Sequence, residues 1–488
     1  MGACSAHLQW RAWAALLGGV LVHITLGTIY TFGNMSPYFT SYIREFSQPH
    51  DLRYQEASLI FALMLVGQGS SMWIGGFLER KIGVRIAVLI GGWTMSLGVL
   101  LSYFTIEHSF TLMTLTYGVL QGIGIGIAYA PPLVCAMRWL PKRKGLVNGL
   151  VVAGFGGGAF FFDQIQTAFI NPNNLVANVS LPQRPDEKYF QEHSLLQRVP
   201  TSFLLCGGCY AVLQLIGCLL MFDQPDTNVK NKFQSDDKKS LINKQTKNVA
   251  SANAAPDENE YGTCSSSDEG SDHHPGPIAT HQEIDEKSSG LDLHPKEIVK
   301  TRAFWTLWAT FLLNGQTIVF ISTLYKAYGL SFISDDRLLA YVGSVSAIFN
   351  ASGRLFWGHI ADVYSYKVAM TSLCCCMSAL MLSFIATPAG GEAMFFVWIC
   401  FIFFTFSGSF SLFPTATARS FGTSYVGLNY GLLFTSQALT GPVGVLLSTT
   451  LSDTVGWFGM FAMMAGFSFI GAILTVTFNV KKLNGSAL

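Results

Sequence analysis

Arg354 is the residue of this sequence best suited to hold an anion. It stands in an apolar run from about 338 to 358, four residues after Asn350 and four before Gly358. Helical spacing puts all three on one face. A guanidinium stays protonated when desolvated and can grip a carboxylate through two parallel hydrogen bonds. Asp163 and His23 also stand inside long apolar runs. A buried carboxyl or imidazole can exchange a proton near neutral pH, so both are candidates for carrying one. Each group has a plainer reading as well. Arg354 could reach the nearest aqueous face or pair with Asp362, and Asp163 and His23 could be hydrogen-bonded packing residues.

The elements that must position these groups are long apolar helices. Half of the 488 residues are apolar and 12% are charged, against about 25% charged in soluble domains. A helix needs roughly 20 apolar residues to cross a bilayer. Six such stretches occupy about 12–35, 56–78, 85–106, 109–135, 145–169 and 201–223. Six more occupy about 303–325, 338–358, 367–388, 393–418, 427–450 and 456–479. The expected fold is an all-α membrane protein of twelve transmembrane helices. Pro131, Pro132, Pro414 and Pro442 suggest bends within it.

A net charge of +1 argues against nucleic acid as a partner. Nothing resembles a phosphate loop or a metal cluster, so no enzyme, metal or cofactor is expected. Cys206-x-x-Cys209 lies in an apolar helix without a His or acidic companion and reads as packing. The first apolar stretch lacks a small-residue cleavage site and is not expected to be a signal peptide. Met1-Gly2 lacks the Ser or Thr that myristoylation needs at position 6, where Ala6 stands.

The expected domains are a first six-helix bundle at 1–223, a linker at 224–300, a second bundle at 301–480 and a tail at 481–488. The linker is rich in Ser, Asp, Glu, Lys and Asn and cannot bury enough apolar surface to fold alone. It contains Asp237-x-x-x-Leu241-Ile242, which resembles an acidic dileucine sorting signal for endosomes or lysosomes. His273-His274 has no companion ligands nearby. Twelve Lys and Arg fall in the linker-side loops and tails, against seven, counting Lys326 and Arg337, in the opposite loops. That bias puts both termini in the cytoplasm. It also puts the sequon Asn178-Val179-Ser180 outside, as a glycosylation site. The plasma membrane is the expected location, with the endosomal or lysosomal membrane as the alternative.

The two halves repeat. Gly75-x-x-x-Glu79-Arg80-x-x-Gly83-x-Arg85 follows span two and Gly358-x-x-x-Asp362 follows span eight, with Gly358 283 residues after Gly75. Each glycine is expected to let helix ends approach, and each acid to bridge to a neighbouring span. Gly145-Leu146-x-x-Gly149-Leu150 recurs as Gly427-Leu428-x-x-Gly431-Leu432, 282 residues later. Duplicated bundles place a site between them near the midplane. The Gly75–Arg85 segment resembles the conformational-switch signature of the major facilitator superfamily, with Glu79 where Asp is commoner.

Asn350-x-x-x-Arg354-x-x-x-Gly358 resembles span eight of the monocarboxylate transporters and the oxalate:formate antiporters, where the matching Arg binds the substrate carboxylate. The resemblance extends to Gly122-x-Gly124-x-Gly126-x-x-Tyr129, to Phe410-x-x-Phe413-Pro414 and to Asn429-Tyr430-Gly431. It implies that Tyr30, Phe32, Tyr129 and Phe410 shape the substrate cavity and that Gln437 faces Arg354 across the two-fold. Two departures matter. Gln437 stands where the oxalate carriers have a second cation, which disfavours a dicarboxylate. Asn350 stands where the animal proton-linked carriers have an acid, and span one holds no Lys. Asp163 and His23 therefore remain as coupling candidates. The expected function is secondary transport of a small monocarboxylate such as lactate or pyruvate by alternating access, with a proton as candidate co-substrate. The sequence leaves open carriage of an amino acid or other organic anion, a non-transporting sensor, and an accessory membrane glycoprotein.

Overall fold

The protein is represented by a computed structural model that describes residues 2–139, 144–181, 184–222, 293–422 and 425–477. Asp237, Leu241, Ile242, His273 and His274 lie outside the described residues, as does the side chain of Arg80.

The described chain forms twelve helical spans. Span one joins Gly2–Leu26, Gly27–Thr31 and Phe32–Phe46, and span two joins Tyr54–Ala57 and Leu59–Ile82. Span three is Val84–His108, and span four runs through Phe110–Met113, Thr114–Leu120 and Gln121–Trp139. Span five is Lys144–Gly157 with Ala159–Ile170, and span six is Arg198–Leu220. The second half holds spans seven (Arg302–Leu330), eight (Asp336–Val363), nine (Tyr366–Phe384) and ten (Thr387–Ser407 with Ser409–Phe421). Spans eleven and twelve share Val426–Thr477 and part at Gly456, whose φ of 61° favours glycine.

Among the described residues, nine helical stretches are apolar and long enough to cross a bilayer, one of them (Leu428–Thr477) containing two spans. Spans five and eight do not qualify. Span five is divided at Gly158 into pieces of 14 and 12 residues, as span ten is at Gly408, and span eight is made less apolar by Asn350 and Arg354. These two spans carry Asp163 and Arg354, ionisable groups at membrane depth that are functional candidates. Large apolar side chains such as Trp73, Ile90, Phe104, Leu446 and Phe469 are exposed on the outer faces of their helices. That is the surface a hydrocarbon environment accommodates. The protein is a multi-pass membrane protein.

Two boundaries differ from expectation. Span one continues to Phe46 and span seven to Leu330, beyond the expected ends near 35 and 325. Lys326, counted above as a loop residue, therefore sits inside span seven with 0% exposure. Hydropathy falls at Asn34, Ser36, Thr40 and Lys326, but the helices continue because neighbouring spans supply hydrogen bonds to some of these polar groups.

One end of the molecule carries the antiparallel hairpin β1 (Val179–Leu181) and β2 (Arg184–Tyr189), paired Val179 to Tyr189. Arg53, ahead of span two, pairs with Glu187 of β2 at 2.5 Å and with Asp453 of span eleven at 2.9 Å. It ties the hairpin to both halves. Burial and the Glu187 carboxylate beside it push the Tyr189 phenol above its usual range. Asn178 is exposed next to β1.

The opposite, linker-side end shows the repeat. Glu79 pairs with Arg138 at 2.6 Å, and Asp362 pairs with Arg419 at 2.6 Å. Each half thus joins the end of its second span to the end of its fourth. Arg85, which follows the φ 85° turn at Gly83, donates to Met221 O and Leu219 O at the end of span six. The repeated glycines are not equivalent. A Cβ on Gly75 would collide with the Ile127 carbonyl, whereas one on Gly358 would meet Ser411 only at 3.8 Å. Only Gly75 permits a close helix approach, so Gly75→Ala should lower the thermal midpoint in detergent while Gly358→Ala leaves it within about 1 °C. The ion pairs differ as well, because the Glu79 side chain is 4% exposed and Asp362 is 68% exposed. Glu79→Ala should cost more stability than Asp362→Ala, since exposed pairs contribute only about 0–1 kcal/mol. Parallel melting curves of the two variants check this.

Candidate functional site

The site is built from span eight outward. Asn350 and Arg354 are one turn apart, and Arg354 Nε donates to Asn350 Oδ1 at 3.0 Å. That bond orients the guanidinium toward the other half. There Nη2 donates to the hydroxyl of Tyr30 in span one at 3.3 Å. The guanidinium carbon lies 4.9 Å from the Phe410 ring centre and 5.4 Å from that of Phe155. Tyr129 of span four packs edge-on against Phe155 at 5.3 Å, beside the guanidinium. Arg354 is therefore enclosed by aromatic rings from both halves and is 2% exposed.

Asp362, the acid nearest in sequence, is paired with Arg419. Among the described residues Arg354 forms no ion pair, and its Nη1 has no hydrogen-bond partner. Asn350 Nδ2, the Tyr430 hydroxyl and His23 Nε2 are likewise buried without partners among the described residues. A buried cation surrounded by unused polar atoms is costly unless an anion completes it. The adjoining cavity is bounded by Tyr30, Tyr129, Phe155, Phe410, Phe434 and Gln437. Its walls are mostly buried, with Tyr30, Tyr129 and Phe155 each less than a tenth exposed.

The structure thus brings together Arg354, Asn350, Tyr30, Tyr129, Phe410 and Gln437. Gln437 Nε2 donates to Phe311 O at 2.9 Å, so its amide nitrogen braces span seven while the side chain lines the cavity. Phe32 packs elsewhere, against Phe39 and Phe61. His23 packs on Tyr129 at 5.1 Å, with Nδ1 against Gly19 O of its own helix. Phe155 was not singled out in the sequence, since one Phe among 38 carries no signal.

Asp163 belongs to a second cluster nearer the hairpin end. Lys326 pairs with Asp336 Oδ1 at 2.8 Å and donates to Asn34 Oδ1 at 2.8 Å and to the Tyr38 hydroxyl at 3.2 Å. Asp336 Oδ2 accepts from Asn171 at 2.8 Å and from Tyr38. Asn34 also donates to Asp163 O at 3.2 Å. Spans one, five, seven and eight meet here. The list of intramembrane ionisable groups drawn from the sequence omitted Lys326 and Asp336, because both were assigned to loops or ends. Their spacing of ten residues across a short turn was the available signal.

This arrangement can be set beside known proteins. The chain is 28% identical to apicoplast pyruvate carrier 1 of Toxoplasma gondii, over 93% of this chain and 86% of that one. It is 23% identical to the oxalate:formate antiporter of Oxalobacter formigenes, over 87% and 82% of the two chains. A crystal structure of a D-xylose-proton symporter superposes with a TM-score of 0.63 at 11% identity, covering 98% of this chain and 99% of that one, and shows the shared fold. Residues 15–445 match the family model described as Major Facilitator Superfamily. With two six-helix halves closing on a central site, the chain belongs to the Major Facilitator Superfamily.

Proposed function

We propose that the protein carries a small monocarboxylate, of the size of pyruvate or lactate, across a membrane by alternating access. The single observation that carries this reading is the buried, acid-free guanidinium of Arg354 with a donor left unused at the interface of the halves. A carboxylate would take Nη1 and complete the fork, and the aromatic walls suit a short apolar tail. Relatives named for pyruvate and for oxalate and formate support an organic anion. The second cation that would fit a dicarboxylate is replaced by Gln437. An amino acid would need an acceptor for its ammonium, and among the described residues Arg354 has no acid beside it, so the monocarboxylate is favoured.

The hairpin end would face outside, with Asn178 carrying a glycan, and both termini would face the cytoplasm. Removing Lys326 from the loop tally enlarges the charge bias behind this orientation. The plasma membrane is the proposed location. The test is uptake of labelled pyruvate, lactate and alanine into proteoliposomes holding wild type or Arg354→Ala. Pyruvate or lactate uptake by wild type that falls to background in the variant supports the reading. Uptake of alanine alone, or undiminished carboxylate uptake by the variant, overturns it.

A further inference from the structure

The cluster at the hairpin end holds two acids and one base. Lys326 donates to Asn34 Oδ1 and to the Tyr38 hydroxyl, and its ammonium lies 2.8 Å from Asp336 Oδ1 as an ion pair. Both Asp163 oxygens are buried without a hydrogen-bond partner among the described residues, and the residue is 0% exposed. Every element packed around it offers the same answer. Among the described residues the titratable groups that interact with its carboxyl are Tyr117 of span four and Tyr325 and Lys326 of span seven, while Asn34 of span one bonds its main-chain carbonyl and Gly343 of span eight lies against Oδ2. Lys326 is the sole cation among these, and Asp336 takes its charge at 2.8 Å. An ionised carboxylate in this position would leave the cluster one negative charge in excess, without a partner and away from water. Such burial costs several kcal/mol. A neutral carboxylic acid removes the excess.

The same groups seal the halves together. Asn34 and Tyr38 come from span one and Asp163 and Asn171 from the first half, whereas Lys326 and Asp336 come from the second. Gly343 of span eight is hemmed in by the Tyr325 hydroxyl and Asp163 Oδ2, so Asp163 is pressed against the other half. Parting the halves here would admit water to Asp163 and let it ionise.

We propose that this cluster is a proton-binding seal, in which the Asp163 carboxylate takes one proton from water on the hairpin side as the halves close and returns it when they part. The proposal rests on the reading of the chain as an alternating-access carrier but not on the identity of its substrate. The seal then closes more readily as hairpin-side pH falls. One proton per closure limits the effect to about tenfold in the closing equilibrium per pH unit.

The seal can be read without any substrate. Ser322 of span seven lies one turn from Lys326, is buried, and its carbonyl faces Gly33 of span one. Ser322→Cys, expressed in the full chain in cells, would be labelled from the hairpin side with a membrane-impermeant maleimide. Asn173→Cys, at an exposed position, supplies the reference for the pH dependence of the thiol reaction itself. The ratio of the two rates should fall severalfold on acidification. Adding Asp163→Asn, which mimics the neutral acid, should make the ratio low at every pH. A ratio that still follows pH in Asp163→Asn, or is high at every pH, overturns the proposal. So does a failure of Asp163→Asn to reach the membrane, because a neutral isostere should fit the closed seal. Failure of the carboxylate reading would appear separately, as absent pyruvate and lactate uptake with the labelling pattern intact.

Discussion

Arg354→Lys should slow pyruvate transport about 100-fold even though the charge is kept. The guanidinium makes its contacts in a fork, with Nε held by Asn350 and Nη2 by Tyr30, so that Nη1 is presented to the cavity. An ammonium on a flexible stem cannot hold both bonds and still present a donor in the plane of a carboxylate. Each hydrogen bond to a charged group contributes about 1.5–3 kcal/mol, and about 1.4 kcal/mol is tenfold in affinity. Losing one to two of them gives the stated factor. Asn350→Ala should follow with about tenfold, because it frees the guanidinium to rotate without removing it. Initial rates of labelled pyruvate uptake, normalised to protein in the vesicles, measure both. Arg354→Lys within about threefold of wild type would mean that point charge alone suffices, and the fork geometry would be irrelevant.

Lys326→Met should be strongly destabilising. It leaves the buried Asp336 side chain with no cation, and breaking a buried ion pair from one side costs about 3–5 kcal/mol. The double variant Lys326→Met with Asp336→Leu should recover at least half of that loss, since replacing both partners removes the uncompensated charge. Asp163→Asn should change stability little, because the closed state already holds that side chain neutral. This ordering separates a charge-balanced seal from a general intolerance of substitution in the region. Thermal unfolding in detergent reads all three variants side by side. A Lys326→Met protein that melts like wild type would show the pair to be dispensable. An Asp163→Asn protein as damaged as Lys326→Met would show that the carboxylate is ionised where it sits.

Much of the candidate site around Arg354 was legible in the sequence. Arg354 and Asn350 are close in sequence, and helical periodicity alone puts them on one face. The motifs that resemble carrier signatures pointed to Tyr129 and Phe410, and the repeat implied a partner surface opposite. The ion pairs Glu79–Arg138 and Asp362–Arg419 were half legible, because the acids repeat at a fixed offset while their arginines lie a span-pair away. Lys326 was misplaced for a physical reason. Hydropathy measures the cost of a charge facing lipid, and it assigns a lysine to a loop whenever it cannot see the carboxylate that neutralises it.

The amino-acid sequence by itself determined the membrane environment, the twelve crossings, the duplication and the presence of one guanidinium in span eight, because these depend on local composition and on spacing along one helix. Only the tertiary structure decided which acids meet which bases. Asp362 turns to Arg419 and Asp336 to Lys326, and among the described residues Arg354 and Asp163 form no ion pair. Those pairings join residues from different helices, and the distance across which two charges satisfy each other is set by how helices pack.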